Sequence, residues 1–331
     1  MSVFGEVGVN PGQFTYPRVL TNDGKDLWVI DKSARVQRIE PGTGKSTALW
    51  TMPEWTVGKP CGAGVGPDGL LYVADTHYFR VMVYRPPGGL REAPELVSTF
   101  GSMGQGPGEF TYLTDVGILA SDDGKSVERL YVGEYGGNDR ISVFDEDHKF
   151  LFAFGSYGSS ADAANVQFSR PQGIEVDKTR HEVVVTDSCN HRIGVFDLDG
   201  KLKRWISSPE NAGQGPGQFA YPYGLVLLGD GTALVTEFGN HRVHHVDYED
   251  GKVLEVYGHG GRGKGELTNP WAVTVMGDVG YVLDSGSDRI QSFKLPAKKR
   301  ETTDLRASGS GLREVGAVDG SQFRGTGGVV R

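Results

Sequence analysis

Apolar residues in this chain come in short runs that alternate with polar, glycine-rich turns. Residues 71–74 (LYVA) and 183–186 (VVVT) are examples, and their β-branched and aromatic side chains favour strands. No segment keeps its apolar residues at the period of about 3.6 that an amphipathic helix requires. The pattern therefore predicts an all-β chain of many short strands joined by tight turns.

The runs are organised by an internal repeat. Each unit opens with a glycine-rich loop that ends in an aromatic residue, as in residues 104–110 (GQGPGEF) and 213–219 (GQGPGQF). A proline usually follows, then an apolar run, a turn, and a second run that ends in a carboxylate. A short loop leads from the carboxylate to an arginine and a third apolar run.

Paired carboxylate and arginine residues mark six copies of this unit. The pairs are Asp31/Arg35, Asp75/Arg80, Glu134/Arg140, Asp187/Arg192, Glu237/Arg242 and Asp284/Arg289. Successive arginines are 45, 60, 52, 50 and 47 residues apart. The matching proline positions are Pro17, Pro60, Pro171, Pro222 and Pro270, with Leu113 in that place in the third copy. Repeats of about 40 to 60 residues predict four-stranded propeller blades and not a helical solenoid.

Two of the copies resemble a known family of repeats. Residues 187–193 (DSCNHRI) and 237–243 (EFGNHRV) are similar to the Asn-His-Leu (NHL) repeat, whose blades carry an Asn-His-Arg-apolar run. The resemblance covers residues 2–293 and implies a six-bladed β-propeller. Copies one, two and six replace the Asn-His pair, so there the resemblance extends to the fold and not to the loop geometry.

The two ends of the repeat region complement each other. Copy six stops after its third strand, residues 289–293, and the chain opens with residues 2–5 (SVFG). These first residues match the fourth-strand endings at 98–101 (STFG) and 152–155 (FAFG). We therefore expect the N-terminal strand to close blade six, which would remove exposed sheet edges.

Charge and pattern divide the chain into two parts. Residues 1–295 form the predicted NHL-type propeller, with a net charge of −11. Residues 296–331 lack the repeat and carry a net charge of +3. We interpret this segment as a Gly-rich, basic C-terminal tail.

Composition limits the remaining possibilities. The 50 glycines and 16 prolines fit a chain with many turns, and no apolar run is long enough to span a membrane. The first residues lack a signal-peptide pattern, which predicts a cytoplasmic protein, although a trimmed secreted form would look the same.

Only two cysteines are present, and the net charge of −8 argues against nucleic acid as a partner. The expected state is a monomer.

The recurring carboxylates and arginines allow two interpretations. The first is an ion pair or a carboxylate–backbone contact that holds each loop, since the planar guanidinium suits bidentate bonding. The second is a ring of six inward acids around a cation. Sixfold repetition favours the architectural interpretation, because a catalytic site needs asymmetry.

The histidines divide in the same way. His191 and His241 belong to the repeat, which favours loop packing and hydrogen bonding. His244 and His245 follow His241 closely, but strand alternation sends them to opposite faces and disfavours a three-histidine metal site. His77, in the equivalent loop of blade two, is the better candidate for a functional role.

A candidate site lies where the repeats differ. The residues that follow each proline position, together with the loops joining second and third strands, share one face at the mouth of the central channel. The predicted ligand-binding residues there are Arg18, Cys61, His77, Thr114, Tyr135, Gln172, Tyr223, Phe238 and Trp271. Tyr, Trp and Arg carry much of the binding energy in protein interfaces, so a peptide or protein partner is favoured. The alternative is that these side chains only plug the channel.

Two functions remain open. The first is a non-catalytic recognition or scaffold propeller, because no nucleophile–base pair or metal-ligand spacing rises above the repeat.

The second is a divalent-cation-dependent enzyme, lyase-like or lactonase-like. The resemblance extends to amidating lyases that hold zinc through inner-strand histidines, but no histidine follows a proline position here. More distant gluconolactonase-like propellers hold a divalent cation with channel carboxylates, for which Asp115 and Glu175 are candidates. Catalytic residues are not assigned, and we expect no cofactor unless such a cation binds. RNA binding, known for animal NHL domains with a basic face, is disfavoured by the net charge of −11 for residues 1–295.

Overall fold

Six four-stranded antiparallel sheets follow one another along the chain and close into a ring. The computed structural model describes residues 1–296, and the predicted tail, apart from Pro296, lies outside the described residues. The all-β prediction and the six-bladed β-propeller are confirmed. No helix among residues 1–296 has the length and apolar character needed to cross a membrane.

The strands of the blades run outwards from the channel in chain order. Blade one comprises β2 (Pro17–Asn22), β3 (Leu27–Asp31), β4 (Arg35–Ile39) and β5 (Ser46–Thr51). Blade two comprises β6 (Gly62–Val65), β7 (Leu71–Asp75), β8 (Arg80–Arg85) and β9 (Glu95–Phe100). Blade three comprises β12 (Tyr112–Ala120), β13 (Val127–Tyr135), β14 (Arg140–Asp145) and β15 (Phe150–Phe154). Blade four comprises β16 (Pro171–Asp177), β17 (Glu182–Asp187), β18 (Arg192–Asp197) and β19 (Leu202–Ile206). Blade five comprises β20 (Pro222–Leu227), β21 (Thr232–Glu237), β22 (Arg242–Asp247) and β23 (Val253–Tyr257).

Blade six is completed by the N-terminus, as predicted. Its strands are β26 (Pro270–Met276), β27 (Val279–Asp284), β28 (Arg289–Lys294) and β1 (Val3–Phe4). In β1, Val3 pairs with Gln291 and Phe4 with Ile290, in antiparallel register. The ring is therefore closed by hydrogen bonds between the two ends of the repeat region.

Short elements occupy the connections. Two parallel pairs lie in glycine-rich loops, β10 (Ser102–Met103) with β11 (Glu109–Phe110) and β24 (His259–Gly260) with β25 (Glu266–Leu267). Single turns of 3-10 helix span Thr76–Tyr78, Ser188–Asn190, Pro209–Asn211 and Ser285–Ser287. Three of these four turns connect the second strand of a blade to its third.

In five of the six repeat units, the glycine-rich loop ends in a side chain that is buried in the hydrophobic core. Phe14, Phe110, Phe168, Phe219 and Leu267 are all buried. The glycine that precedes the loop packs against this side chain: a Cβ at Gly101, where φ is +96°, would lie 2.5 Å from the Phe110 ring. Glycine is required there by both backbone and space.

The hydrophobic core is divided among the interfaces between neighbouring blades. At the interface of blades one and two, for example, Trp28 and Trp50 pack with Tyr84. The other interfaces have corresponding clusters, including one between blades six and one. Each blade therefore depends on both neighbours for the burial of its apolar faces.

Candidate functional site

The carboxylate–arginine pairs stand beside the loops between second and third strands. All six pairs lie within ion-pair distance: Asp31–Arg35, Asp75–Arg80 at 3.0 Å, Glu134–Arg140 at 2.7 Å, Asp187–Arg192 at 2.8 Å, Glu237–Arg242 at 3.2 Å and Asp284–Arg289 at 2.7 Å. The acids are buried beside their arginines, and none of the six lines the central channel. Their positions match the architectural interpretation and do not form a ring around a channel cation.

Each arginine also holds a second loop. Arg192 Nη2 donates to the carbonyl oxygens of Gln167 at 2.7 Å and Ser160 at 3.0 Å, both in the glycine-rich loop of blade four. The same bonds recur in blades one, three, five and six. In blade two, whose loop lacks the glycine motif, Arg80 bonds Glu54 at 2.8 Å instead. We call this arrangement the loop clamp.

The repeat histidines connect neighbouring blades. His191 and His241 adopt left-handed backbone conformations with φ of 55° and 56°. Their Nδ1 atoms accept hydrogen bonds from the backbone N–H of Tyr221 at 3.1 Å and Asn269 at 3.0 Å in the next blade. Burial lowers the pKa of His191, which keeps the ring neutral and able to accept this bond.

Copies three and six have aspartate in place of the histidine and make the same contact with it; copy three, which reads Asn138-Asp139, thus also departs from the Asn-His pair. Asp288 Oδ1 accepts from Tyr16 N at 2.5 Å, and Asp139 Oδ1 accepts from Arg170 N at 2.6 Å. Asp288 has a φ of 53°, so copy six departs from the Asn-His pair in sequence but not in backbone geometry. Four of the six blade interfaces therefore carry this bond between a side chain and the residue before the proline.

The remaining histidines of blade five are separated. His244 is buried with Nδ1 2.7 Å from Glu237 Oε1, whereas His245 Nε2 lies 3.0 Å from Thr232 Oγ1. These contacts face opposite sides of β22, as strand alternation requires. Across residues 1–296, no three His, Cys, Asp or Glu side chains are grouped as a metal site requires.

The inner strands leave only a narrow channel. They enclose a cavity of about 60 Å³. Small residues bring neighbouring inner strands close together: a Cβ at Gly224 would lie 2.6 Å from Ala272 Cα, and one at Gly62 would lie 2.3 Å from Thr114 O. The cavity has room for a few water molecules or one side chain, not for a sugar or a base.

Two carboxyl groups lie in this channel. Asp115 Oδ2 accepts a hydrogen bond from Ile174 N at 3.0 Å, and Glu175 lies on the same inner strand as Ile174. Burial raises the pKa of Asp115 to about 7. Burial and the charge of Asp115 raise the pKa of Glu175 to about 8. At neutral pH the pair therefore holds at least one proton for much of the time.

Five of the predicted site residues meet at the channel opening. The side chains that line it are Arg18, Cys61, Gln172, Tyr223 and Trp271. The Arg18 guanidinium lies 4.9 Å from the Trp271 ring centre. Tyr223 stacks on Phe238 at 4.7 Å, and Phe238 meets the edge of Trp271 at 5.8 Å.

The other predicted residues are distributed around this centre. The guanidinium carbon of Arg170 lies 4.8 Å from the ring centre of Tyr135 and 5.6 Å from that of Tyr223. His77 packs on Tyr112 at 5.4 Å. Burial, followed by the charges of Lys59 and Arg18, lowers the pKa of His77.

Thr114 does not belong to the mouth. Its side chain is fully buried, and its Oγ1 would lie 2.5 Å from a Cβ placed on Gly133 of the next strand. Thr114 is not among the residues that line the channel cavity. Thr114 therefore packs inside blade three.

Residues before the proline positions also form part of the mouth, and they were missed from the sequence. The ring centres of Tyr16 and Trp271 are 6.2 Å apart. The Arg18 guanidinium carbon and Lys32 Nζ each lie 5.9 Å from the Tyr16 ring centre. Arg170 occupies the same position in blade four. The signal was present in the sequence, because the residues at this position vary between copies: Tyr16, Lys59, Tyr112, Arg170, Tyr221 and Asn269.

Comparison with known proteins identifies the repeat. Residues 168–196, most of blade four, match the NHL repeat family model. Human NHL repeat-containing protein 2 is 30% identical over 174 residues, covering 44% of this chain and 24% of that protein. Drosophila melanogaster protein brain tumor is 27% identical over 160 residues, covering 48% of this chain and 14% of that protein. The matches thus span about a quarter or less of these relatives.

Solved structures show the same fold at low identity. A Bacteroides thetaiotaomicron protein of unknown function has a TM-score of 0.61 at 15% identity, covering 88% of this chain and 72% of that one. A streptogramin B lyase has a TM-score of 0.57 at 14% identity, covering 90% and 87%. A chain from a nidogen/laminin complex has a TM-score of 0.55 at 16% identity, covering 80% and 87%. These structures show the fold alone, and the repeat match and the human relative confirm the resemblance to the NHL repeat.

Proposed function

We propose that this NHL-repeat propeller is a non-catalytic recognition or scaffold module that binds a peptide or protein segment at the channel mouth. The observation that carries the proposal is the cluster of rings and guanidinium groups formed by Arg18, Trp271, Tyr223, Phe238 and Arg170. Such residues contribute most of the binding energy in protein interfaces. They vary between blades, whereas the loop clamp beside them repeats.

The surrounding structure supports a preorganised surface. The residues before the prolines are fixed by bonds to the previous blade, as in Arg170 N to Asp139 and Tyr16 N to Asp288. Side chains on a rigid ring lose little conformational freedom on binding, which favours affinity. The narrow channel beneath excludes a large substrate, so a partner would bind across the mouth with one side chain inserted.

A library of random peptides displayed on phage tests this proposal. We expect the intact protein to enrich binding sequences, and an Arg18→Ala, Phe238→Ala variant to lose them. Arg91→Ala is the matched control, because Arg91 is exposed in the hairpin after β8, away from the loops of the mouth. Absence of any enrichment, or enrichment that the mouth variant retains, would overturn the proposal.

A second candidate function is a cation-dependent enzyme, and the channel carboxyl groups favour it. Asp115 and Glu175 offer carboxylate oxygens in an enclosed space. Two carboxylates are a small share of the six to eight oxygen ligands that Ca²⁺ takes, which is why we rank this candidate second. Elemental analysis of protein purified without chelators decides between the two candidates. A stoichiometric divalent ion that is lost in Asp115→Asn would favour the enzyme, and absence of such an ion from the wild-type protein would exclude it.

A further inference from the structure

The channel mouth carries positive charge on a propeller that is acidic as a whole. Arg18, Lys32, Lys59 and Arg170 surround the rings described above. Among residues 1–296, none of these four cations has a carboxylate within the ion-pair distance of 4.0 Å. This differs from the six loop-clamp arginines, each of which is paired with an acid.

The two acids in the loops around the mouth, Asp139 and Asp288, accept hydrogen bonds from backbone amides. Asp139 accepts the backbone N–H groups of Arg170, Gly136 and Gly137. Asp288 accepts the N–H of Tyr16. Their oxygens point at backbone amides, so the guanidinium of Arg18 stays available to an external acceptor.

Hydrogen-bond donors at the mouth also lack partners. Arg18 Nε and Trp271 Nε1 are both buried without an acceptor in the described structure. The one hydrogen bond of the Arg18 guanidinium is Nη1 to Cys61 Sγ at 3.5 Å, and a thiol sulfur is a weak acceptor. Trp271 is 6% exposed and lines the same cavity. Buried donors of this kind cost free energy until an acceptor reaches them, which points to a ligand rich in acceptors.

The dimensions and surroundings of the cavity decide which anion fits. A volume of about 60 Å³ admits one carboxylate side chain or a chain end but not a nucleobase. A nucleic acid would also extend its phosphates beyond the mouth, over a ring with a net charge of −11 for residues 1–295. Beneath the mouth, burial favours the protonated forms of Asp115 and Glu175, which reduces the repulsion that an entering carboxylate meets.

We propose that the mouth binds an acidic peptide segment, with one carboxylate held by Arg18 and Trp271 Nε1 and apolar neighbours packed on Tyr223 and Phe238. The inference rests on the proposed peptide-binding function and gives it a substrate class. Lys32, Lys59 and Arg170 lie around this point and attract further acidic residues of the same segment.

The composition of selected peptides tests the inference separately from the function. Wild-type protein should enrich sequences with more Asp and Glu than the starting library. A double variant, Arg18→Gln and Arg170→Gln, should lose the acidic preference, while Arg91→Gln should retain it. Enrichment without acidic preference would overturn this inference and leave peptide binding intact, whereas no enrichment at all would overturn both.

Affinities of one selected peptide give the quantitative test. Arg18→Gln should weaken binding about tenfold or more, and replacing the acidic residues of the peptide by Gln should weaken it similarly. Lys59→Gln, at an exposed position that leaves the core unchanged, should weaken binding about two- to threefold and reduce its salt dependence. Thermal unfolding of each variant separates lost binding from lost folding.

Competition distinguishes the sources of the anion. The fluorescent peptide is displaced in turn by its unlabelled form, by inorganic phosphate and by a short oligouridylate. Displacement by the peptide alone supports the inference. Stronger displacement by the oligonucleotide than by the unlabelled peptide would overturn it in favour of nucleic acid, and displacement by phosphate as strong as that by the unlabelled peptide would reduce the mouth to a general anion site.

Discussion

Arginine has two different environments in this propeller, and the difference is visible only at the scale of single residues. Arg192 is fully buried, pairs with Asp187 at 2.8 Å, and lies 3.7 Å from the Trp205 ring centre. Arg18 lies over the rings of Trp271 and Tyr16 but meets no carboxylate among the described residues. The first environment pairs the guanidinium with a carboxylate, and the second does not.

Removal of a clamp arginine should therefore affect stability strongly. Arg192→Ala leaves the buried Asp187 without its charge partner and frees three loop carbonyls, so we expect a loss of about 3 to 5 kcal/mol in the free energy of unfolding. Urea denaturation measures it. Arg192→Lys should recover little, because an ammonium cannot reproduce the planar fork. A loss below about 1 kcal/mol, similar to that of the exposed Arg91→Ala, would contradict the loop clamp.

The channel carboxyl groups should make stability depend on pH. Their folded pKa values, raised to about 7 and about 8, lie above the values of 3.8 and 4.5 expected in the unfolded chain. The folded state then binds more protons than the unfolded state between these limits, so their contribution to stability falls as pH rises from about 4 to about 8.

Neutral isosteres should remove this dependence. Asp115→Asn keeps an acceptor for Ile174 N and eliminates the buried charge, so at pH 8 we expect about 1 to 3 kcal/mol of stabilisation that diminishes toward pH 4. Chemical denaturation across this pH range measures the difference. Glu146→Gln, an exposed position, is the control and should show no such trend. Destabilisation by Asp115→Asn at pH 8 would indicate that the carboxylate has a bound partner.

At the scale of elements, the contact between neighbouring blades depends on a side-chain acceptor, not on one residue type, and Asp139 makes it without the left-handed backbone of the other three acceptors. His191, His241 and Asp288 share this backbone, and each accepts the amide of the residue before the next proline. Ala34 and Phe79 share the backbone but have no side-chain acceptor. The repeat motif thus encodes a loop conformation first and a blade-to-blade bond second.

Exchange at Asp288 should separate these two contributions. Asp288→His restores the residue of the repeat motif and should retain stability within about 0.5 kcal/mol. Asp288→Ala removes the acceptor and leaves Tyr16 N without its bond, with an expected loss of about 1 to 2 kcal/mol. Equal losses for both variants, measured by thermal unfolding, would show that aspartate is required for another reason.

At the scale of the whole molecule, stability depends on closure. The core consists of clusters shared by neighbouring blades, including one between blades six and one. β1 supplies the outer strand of blade six and covers the edge of β28. The first residues of the chain therefore complete a sheet whose other strands come from the end of the repeat region.

Deletion of residues 1–4 should test this closure. It removes the pairing of Val3 and Phe4 and exposes the edge of β28, so we expect a loss of about 2 to 4 kcal/mol and increased self-association. Differential scanning calorimetry and light scattering measure the two effects. Replacement of Val3 alone by Thr, which keeps the backbone pairing, is the control and should change neither.

Much of the architecture followed from the spacing of a few residues. The carboxylate–arginine pairs placed the second and third strands of every blade, and residues 2–5 indicated how the ring closes. The mouth followed only in part. Arg18, Tyr223 and Trp271 lie where their position after the prolines predicts, but Thr114 turns into blade three, and Arg170 and Tyr16 were missed.

The sequence by itself determined the repeat, the number of blades and the closure, because each blade reuses local patterns of turn, alternation and charge that can be seen in one dimension. Only the tertiary structure decided which side chains share the channel mouth. Those residues come from six different blades, and whether a side chain faces the channel or its own blade depends on how closely neighbouring inner strands pack. Each clamp arginine has its carboxylate four to six residues earlier in the chain. The neighbours of Arg18, in contrast, come from other blades and are brought to it by the closure of the ring.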